Sequence, residues 1–298
     1  MIKKSIIVPV FEGEEFITPF FSFFKANPLP NEIELIIVDN GSTDVFYNEL
    51  VTQGESTINC NIYRYSEKQS SYAARNFGVS QSKGQVLAFT DFDCILSKSY
   101  IDLLLTMDIN PKNIISGKVE LFYIKNNIYE FFDNHYYLDQ KRYSINKKGA
   151  TANLVVPKLI FEDLDGFSEF TSGGDGEFCH RVNLHGYGFK YNEDLLIKHP
   201  SRSSLKEHAI KAKRIGIGTG QYFLNTNHTI LTKILIILKN LILILFPLHQ
   251  IKIGIKIFIK EPVRIIDFHK LIFLLYNVSY LQRVNIIKII LYANNDTK

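Results

Sequence analysis

Two aspartates one residue apart, Asp91 and Asp93 in TDFDC, are the residues whose type and spacing most directly suggest chemistry. They follow the apolar run VLAF, which is typical of a buried strand, so both carboxylates leave the core at the same point. A carboxylate pair in this position suits a positively charged ligand. The alternative is a pair of solvated acids at an ordinary strand end.

A second acidic group lies in TSGGDGEFCHR, where Gly173 and Gly174 precede Asp175 and Glu177. Glycines beside a carboxylate allow a ligand to approach the backbone closely. The same letters also suit a helix start, with Asp175 as N-cap and Glu177 in the favourable field of the helix dipole. Both interpretations can hold together. Arg181, four residues further on, could bind phosphate or brace the acidic loop.

The elements that must position these acids alternate along the first two hundred residues. Short β-branched runs separated by amphipathic stretches predict an α/β fold, a mostly parallel sheet flanked by helices. Ligands of such sheets bind at the carboxyl ends of the strands, which places Pro9 to Glu12 and Asp39 to Ser42 beside the TDFDC acids. The predicted strands are 5–10, 33–39, 59–65 and 85–91, and the predicted helices are 13–26, 43–53, 70–82 and 97–107.

Composition narrows the class of protein. The chain has 298 residues, a formal net charge of +4 and no block of Lys and Arg, so nucleic acid is not the expected partner. Three widely spaced cysteines predict neither a disulfide framework nor a zinc site, and a reducing cytosol fits them best. The first apolar segment reaches Glu12 too soon for a signal peptide, so we interpret it as a strand.

Four segments in order resemble a family-2 glycosyltransferase with the Rossmann-like GT-A fold, over roughly residues 3 to 202. This resemblance implies an inverting, metal-dependent enzyme that moves a sugar from a nucleotide-diphosphate sugar to a glycan or lipid-linked acceptor. The segments are IIVPVFEGEEFI, LIIVDNGSTD, SSYAARNFGVSQSKGQVLAFTDFDC and GGDGEFCHRVNLHGYGFKY.

The resemblance also implies a set of donor-binding residues. Asn40 departs from the commoner Asp-Asp pair, but an amide can still accept from a pyrimidine N–H and donate to a carbonyl. The guanidinium of Arg75 suits phosphate oxygens, although it could instead be a surface residue of a helix. The implied nucleotide-binding residues are Pro9, Val10, Glu12, Asp39, Asn40, Arg75 and Asp91.

Metal and catalytic roles follow from the same resemblance. Asp93 is implied as a direct ligand of Mn²⁺ or Mg²⁺, which neutralises the departing diphosphate. His199, after another apolar run, is a candidate further ligand or a structural histidine. Asp175 occupies the position of the general base, while Gly174 replaces the usual Glu. Glu177 and Arg181 are acceptor-binding or supporting candidates.

The final third of the chain changes in character, which predicts a catalytic domain over 1–205 and a helical, membrane-associating region over 206–298. Lys233, Lys239 and Asn240 interrupt the apolar segment 230–246, and a charge at a helix centre costs roughly 2.5–3.5 kcal/mol on insertion. We therefore expect a peripheral or monotopic helix on the cytoplasmic side of the membrane. Packing on the core and a dimer interface remain alternatives, and the oligomeric state stays open.

Two other functions fit parts of this pattern. A nucleotidyltransferase acting on sugar phosphates would share the sheet and acids, but VPVFEGEEF lacks the Gly-rich basic phosphate loop expected after its first strand. A non-catalytic glycan-binding relative would lose the acids, whereas Asp91, Asp93 and Asp175 are all present. Both alternatives are therefore disfavoured.

Overall fold

The computed structural model describes residues 1–226, 229–260 and 265–292. The chain forms two compact units, each assembled from separate stretches. The sheet unit consists of Met1–Phe122, Leu138–Glu169 and Gly174–Pro200. The helical unit consists of Tyr123–Tyr137, Phe170–Gly173 and Ser201–Lys298.

One seven-stranded sheet forms the centre of the sheet unit, in the order β3-β2-β1-β4-β6-β5-β7. Strand β6 is antiparallel to both β4 and β5, and the remaining neighbours are parallel. The predicted mostly parallel α/β sheet is therefore confirmed. The strands are β1 Lys4–Val10, β2 Ile33–Asp39, β3 Cys60–Arg64, β4 Val86–Thr90, β5 Asn113–Phe122, β6 Asn153–Pro157 and β7 Gly188–Pro200.

Twelve helices accompany these strands within the described residues. Side chains of Thr43, Ser70 and Ser97 accept hydrogen bonds from the first-turn backbone of α2, α3 and α4, which explains where those helices begin. The helices are α1 Glu14–Ala26, α2 Asp44–Gly54, α3 Ser71–Gln81, α4 Lys98–Thr106, α5 Ile128–Tyr136, α6 Gln140–Ile145, α7 Lys158–Asp163, α8 Gly174–Leu184, α9 Leu205–Asn225, α10 Ile230–Leu245, α11 Leu248–Lys260 and α12 Ile265–Tyr292.

Strands β5 and β6 lie in a region for which the sequence predicted no strand. Asn153, the first residue of β6, is fully buried because its amide donates to the carbonyls of Lys118 (2.9 Å) and Leu195 (2.7 Å). Gly117 lies against the same groups, and a Cβ there would collide with them. The register of β5 and β7 shifts at this glycine.

The helical unit contains α5 and α9 to α12. Gly216 and Gly220 of α9 lie one turn apart against Gln282 and Ile289 of α12, where side chains would leave no room. Residues 251–259 lie in α11, which carries Lys252 and Lys256 one turn apart. The Lys260 side chain and Arg264 lie outside the described residues.

Helix α10 has an inverted pattern of burial. Its one buried residue is Asn240, whereas a stripe of Leu and Ile at helical spacing is exposed. In the described part of the chain, no single helix has both the length and the apolar composition needed to cross a membrane. The pair Ile230–Leu245 and Leu248–Ile259, bent by 54°, meets that requirement only when taken together. The exposed stripe consists of Ile230, Leu231, Ile234, Leu235, Leu238, Leu241, Ile242 and Leu245.

Candidate active site

All twelve residues predicted for the site lie in the sheet unit, and most lie in the last residues of its strands or just after them. Parallel pairing aligns Val10 at the end of β1 with Asp39 at the end of β2, and β4 runs parallel on the other side of β1. The loops after β1, β2 and β4 therefore leave the same edge of the sheet. Asp91 directly follows β4, as the sequence predicted.

Arg75 is held by Asp91. The guanidinium is 3% exposed, donates from Nη2 to Asp91 Oδ1, and donates from Nη1 to the Ser71 carbonyl at 3.2 Å. Arg75, predicted to approach the base or diphosphate, forms an ion pair with one of the two TDFDC acids. This pairing orients Asp91 and balances its charge.

Asp91, Asp93, Cys94 and His199 form a cluster whose ligand atoms all lie within 4.8 Å of one another. His199 Nδ1 lies 2.7 Å from the Pro200 carbonyl, which can only accept, so Nδ1 donates. In the neutral imidazole, Nε2 carries the lone pair and faces Asp93 Oδ1 at 3.6 Å. A cation between these two electron-rich atoms would stabilise the arrangement, so the residues present fit a divalent metal.

Cys94 is the cluster member that the sequence did not single out. Burial is the main cause that raises the pKa of its thiol, and the nearby Asp93 and Asp91 add to it. A thiol kept neutral in this way is a weak ligand, and Mn²⁺ and Mg²⁺ prefer oxygen and nitrogen donors to sulfur. The carboxylates and the imidazole are therefore the better candidates for metal binding.

Asp175 lies in the first turn of α8, one residue inside the helix start at Gly174. Its Oδ1 accepts from the Tyr72 hydroxyl at 3.0 Å and from the Gly176 backbone N–H at 2.8 Å. Its Oδ2 accepts from the Thr151 backbone N–H at 3.3 Å. A half-buried carboxylate held by three neutral donors has a defined orientation.

Tyr72 is a site residue that sequence reasoning missed. Its side chain is buried, and burial raises the pKa of the phenol, with a further contribution from Asp175. The hydroxyl therefore stays protonated and donates. Tyr72 and Arg75 lie one helical turn apart on α3, with the guanidinium carbon 5.7 Å from the tyrosine ring centre. The spacing Tyr-x-x-Arg is the signal that could have pointed to this pair.

Glu177 and Arg181 form a brace at the other face of α8. Glu177 accepts from Ser168 Oγ at 2.8 Å and from Arg181 Nε at 2.6 Å. Arg181 also donates to the carbonyls of Leu164 and Gly166, which fixes the loop before the helix. These contacts favour bracing over phosphate binding for Arg181, and support over acceptor binding for Glu177.

The nucleotide-binding candidates at the ends of β1 and β2 are linked by short hydrogen bonds. Asp39 is fully buried and accepts from the Ser42 backbone at 3.2 Å, while Ser42 Oγ accepts from the Glu12 backbone at 2.8 Å. Asn40 donates both amide hydrogens, to Tyr65 O at 3.0 Å and Lys68 O at 2.9 Å. Only its carbonyl oxygen remains for a ligand. Pro9 is half-buried and Val10 buried, and Glu12 is exposed with a positive φ of 54°.

Comparison with known proteins agrees with this geometry. The family model described as Glycosyl transferase family 2 matches residues 5–161, more than half of the chain. Glycosyltransferase AglE of Haloferax volcanii is 31% identical over 227 residues, which cover 73% of this chain and 72% of AglE. The poly(ribitol-phosphate) beta-N-acetylglucosaminyltransferase TarS of Staphylococcus aureus is 27% identical over 100 residues, or 33% of this chain and 17% of TarS.

Among solved structures, the mannosyltransferase PcManGT from Pyrobaculum calidifontis, in complex with GDP-Man and Mn²⁺, has a similar fold. The TM-score is 0.58 at 15% identity, over 76% of this chain and 65% of PcManGT. This likeness confirms the predicted GT-A fold. The nucleotidyltransferase and the non-catalytic alternatives are not needed to explain the motifs. Because the family model and AglE both extend over more than half of the sequence, the chain belongs to glycosyltransferase family 2 and is a transferase.

Proposed function

We propose that this glycosyltransferase is a metal-dependent, inverting enzyme that transfers a sugar from a nucleotide-diphosphate sugar to a glycan or lipid-linked acceptor. One observation carries the proposal. On helix α3, Tyr72 holds Asp175 and Arg75 holds Asp91, so a single helical turn joins the candidate base to the candidate donor site. This link fixes the position of the candidate base relative to the candidate donor site, and direct displacement requires such a fixed geometry.

The loops after β1, β2 and β4 are the proposed nucleotide site. Since both hydrogens of the Asn40 amide hold the backbone of Tyr65 and Lys68, Asn40 can only accept from the base, as an N–H of a pyrimidine or guanine ring would require. Asp39 and Ser42 stabilise this loop through the buried hydrogen bond that the Ser42 backbone N–H donates to the Asp39 carboxylate. Asp91, oriented by Arg75, is the candidate partner of the ribose hydroxyls.

Asp93, His199 and the second oxygen of Asp91 are the residues that would hold Mn²⁺ or Mg²⁺. The metal ion, when bound, neutralises the charge that develops on the departing diphosphate. PcManGT, whose structure contains GDP-Man and Mn²⁺, supports a metal in this fold. A site with an imidazole suits Mn²⁺ better than Mg²⁺, because Mg²⁺ prefers oxygen ligands and water.

Asp175 is the proposed general base. Its carboxylate would accept the proton of the acceptor hydroxyl as that oxygen attacks the sugar, and a single displacement of this kind inverts the anomeric carbon. Tyr72 and the Thr151 backbone hold the carboxylate in place from both oxygens. Glu177 is a poorer candidate for this role, because Arg181 and Ser168 already occupy both of its oxygens.

The helical unit is the proposed attachment to the cytoplasmic face of a membrane, where a surface polysaccharide or lipid-linked glycan would be extended. The exposed Leu and Ile stripe of α10 offers apolar area, and the exposed Lys239, Lys252 and Lys256 offer positive charge. A lysine that stays among the headgroups of an anionic membrane contributes about 1 kcal/mol to binding. A lysine at the centre of a membrane-spanning helix opposes insertion instead. An in-plane helix fits these side chains better than a span.

Donor hydrolysis by the purified full-length protein tests the enzymatic proposal. We expect one class of nucleotide sugar to be hydrolysed slowly with Mn²⁺ or Mg²⁺ and not with EDTA, and transfer to an acceptor to give the inverted anomer by NMR. Hydrolysis that continues in EDTA would contradict metal dependence, and a retained anomer would contradict direct displacement. The matched control is Asp102→Asn, which changes an exposed carboxylate of α4 outside the proposed site.

Fractionation of cell lysate tests membrane attachment separately. We expect the protein to pellet with membranes and to be released partly by high salt and fully by alkaline carbonate. A cysteine placed at His249, which is exposed, should stay unlabelled by a reagent outside the cell. Labelling there would favour a span, and a protein that remains in the soluble fraction would contradict attachment.

A further inference from the structure

Arg283 in α12 differs from the other buried or half-buried arginines that the structure describes. Arg75, Arg181 and Arg202 each bind a carboxylate, of Asp91, Glu177 and Asp133 respectively. Within the described residues, the partners of Arg283 are the neutral side chains of Ser279 and Asn240. A guanidinium half removed from water without an anion is a costly arrangement that a negatively charged ligand would relieve.

A buried polar network holds this guanidinium between three helices. Arg283 Nε donates to Ser279 Oγ at 3.0 Å, and Nη1 donates to Asn240 Oδ1 at 3.2 Å. Gln250 Nε2 donates to Ser279 Oγ at 2.6 Å, so α10, α11 and α12 all contribute. Nη2 donates to no residue in the described ranges, and burial lowers the pKa of the group. The guanidinium is thus fixed in orientation through Nε and Nη1.

The surface around this network has the character of a lipid-binding surface. Asn240, Gln250 and Ser279 are each at most 6% exposed, whereas the Leu and Ile stripe of α10 on its other side faces outward. The exposed lysines Lys239, Lys252 and Lys256 belong to the same helices. Apolar area flanked by positive charge is complementary to a leaflet that contains anionic lipid.

We propose that Arg283 binds the phosphate group of an anionic membrane lipid, at a site built by α10, α11 and α12. The planar fork of an arginine matches phosphate oxygens with two parallel hydrogen bonds. Ser279 and Asn240 fix the orientation of the fork. This inference rests on the membrane attachment proposed above and adds to it a residue and a lipid chemistry.

Flotation with vesicles tests the site. The full-length protein is mixed with vesicles of phosphatidylcholine, with or without phosphatidylglycerol. We expect phosphatidylglycerol to strengthen binding of the wild type, and Arg283→Gln to weaken that binding about ten-fold, as for loss of a charge-assisted hydrogen bond. Lys256→Gln, the matched control, should weaken it about five-fold or less. Inorganic phosphate at millimolar concentration should not displace the vesicles, whereas displacement would indicate a site for free phosphate.

The remaining outcomes separate the inference from the proposals on which it rests. Equal vesicle binding by the wild type and Arg283→Gln would overturn the role of Arg283 alone. A wild type that binds no vesicles and forms a dimer would overturn both the lipid site and membrane attachment, while donor hydrolysis would still report on catalysis.

A measurement on the wild type covers the case in which Arg283→Gln fails to fold. Short-chain phosphatidylglycerol should raise the melting temperature of the wild type more than short-chain phosphatidylcholine does. Equal shifts with the two lipids would overturn the proposal.

Discussion

Strand β2 of the sheet unit and helix α10 of the helical unit place apolar and polar side chains in opposite ways. In the sheet unit, every residue of β2 is buried, and the polar groups of the site begin where β1, β2 and β4 end. In α10 of the helical unit, the buried residue is Asn240 and the Leu and Ile side chains are exposed. The sheet unit satisfies its apolar surface internally, whereas α10 leaves its apolar surface for a partner.

Arg283 differs in the handling of charge from the other buried or half-buried arginines, including Arg202 of the helical unit, which pairs with Asp133. Arg75 and Arg181 of the sheet unit are neutralised by carboxylates of that unit. Arg283 of the helical unit has neutral partners among the described residues. Under the proposed membrane attachment, chemistry and attachment use different surfaces, so variants in one unit should leave the function of the other intact.

The largest effect is expected for Asp93→Ala in the sheet unit. Loss of a ligand for the metal should lower transfer about 10⁴-fold or more, since a bound cation contributes several kcal/mol of charge stabilisation. Calorimetry with nucleotide and Mn²⁺ should detect no metal-dependent binding, while vesicle binding stays unchanged. If this variant bound Mn²⁺ and nucleotide as the wild type does, the assignment of Asp93 as a metal ligand would be refuted.

Asp175→Asn should slow transfer by about 10²–10⁴-fold, the contribution of a positioned general base. Donor binding should not change, because Asp175 contacts Tyr72, Gly176 and Thr151 rather than the metal cluster. Steady-state kinetics separates the rate of transfer from donor binding. Transfer within a few-fold of the wild type would point to another base, and Glu177→Gln is the variant to compare.

Stability measurements test the contrast in burial directly. Ile37→Ala removes a fully buried side chain of β2 and should cost about 2–5 kcal/mol of unfolding free energy. Leu238→Ala removes an exposed one from α10 and should change it by about 0.5 kcal/mol or less in the absence of lipid. Urea denaturation provides both values. Equal losses would mean that the α10 stripe is already covered in solution.

Tyr72→Phe should lower kcat roughly ten-fold and leave the KM for the donor unchanged. The change removes one hydrogen bond to a charged group and keeps the buried ring that packs near Arg75. A purely structural role would instead lower the melting temperature without changing kcat. Tyr143→Phe, at another tyrosine of the sheet unit, serves as the control.

The smallest effect concerns His208 in the helical unit. Burial lowers its pKa, although the nearby Asp133 acts in the opposite direction. Its neutral form therefore contributes stability that is complete above the unfolded value of about 6.5 and is lost as the pH falls below it. One proton limits the slope to about 1.4 kcal/mol per pH unit.

Thermal melts from pH 7.5 to 5 measure this slope. His208→Gln keeps a donor for the Tyr129 carbonyl, which the imidazole Nε2 contacts at 3.0 Å, and cannot titrate in this range. We expect the variant to flatten the slope, and an unchanged slope would assign the pH dependence to other groups.

Local sequence determined the first half of the sheet unit. Runs such as residues 35–38 are uniformly apolar and rich in β-branched residues, and amphipathic stretches separate them, so four strands and four helices were predicted within two residues of their observed ends. The edge that carries the acids followed, because the carboxyl ends of parallel strands lie on one side of a sheet. Strands β5 and β6 escaped prediction. Gly117 interrupts the pattern of β5 at the register shift, and β6 begins at a polar residue, Asn153, whose amide is paired only in the folded sheet.

The tertiary structure decided which side chains meet. Tyr72 and Asp175 are 103 residues apart in sequence, yet the Tyr72 hydroxyl lies 3.0 Å from Asp175 Oδ1. Arg75 of α3 likewise pairs with Asp91, which follows β4. The tertiary structure also brings His199 and Asp93 to face each other in the cluster. Residue type and spacing determine helices and strands because those depend on neighbours within a few positions. A hydrogen bond between distant segments depends on where the packed backbone places both ends, and local patterns carry no information about that distance.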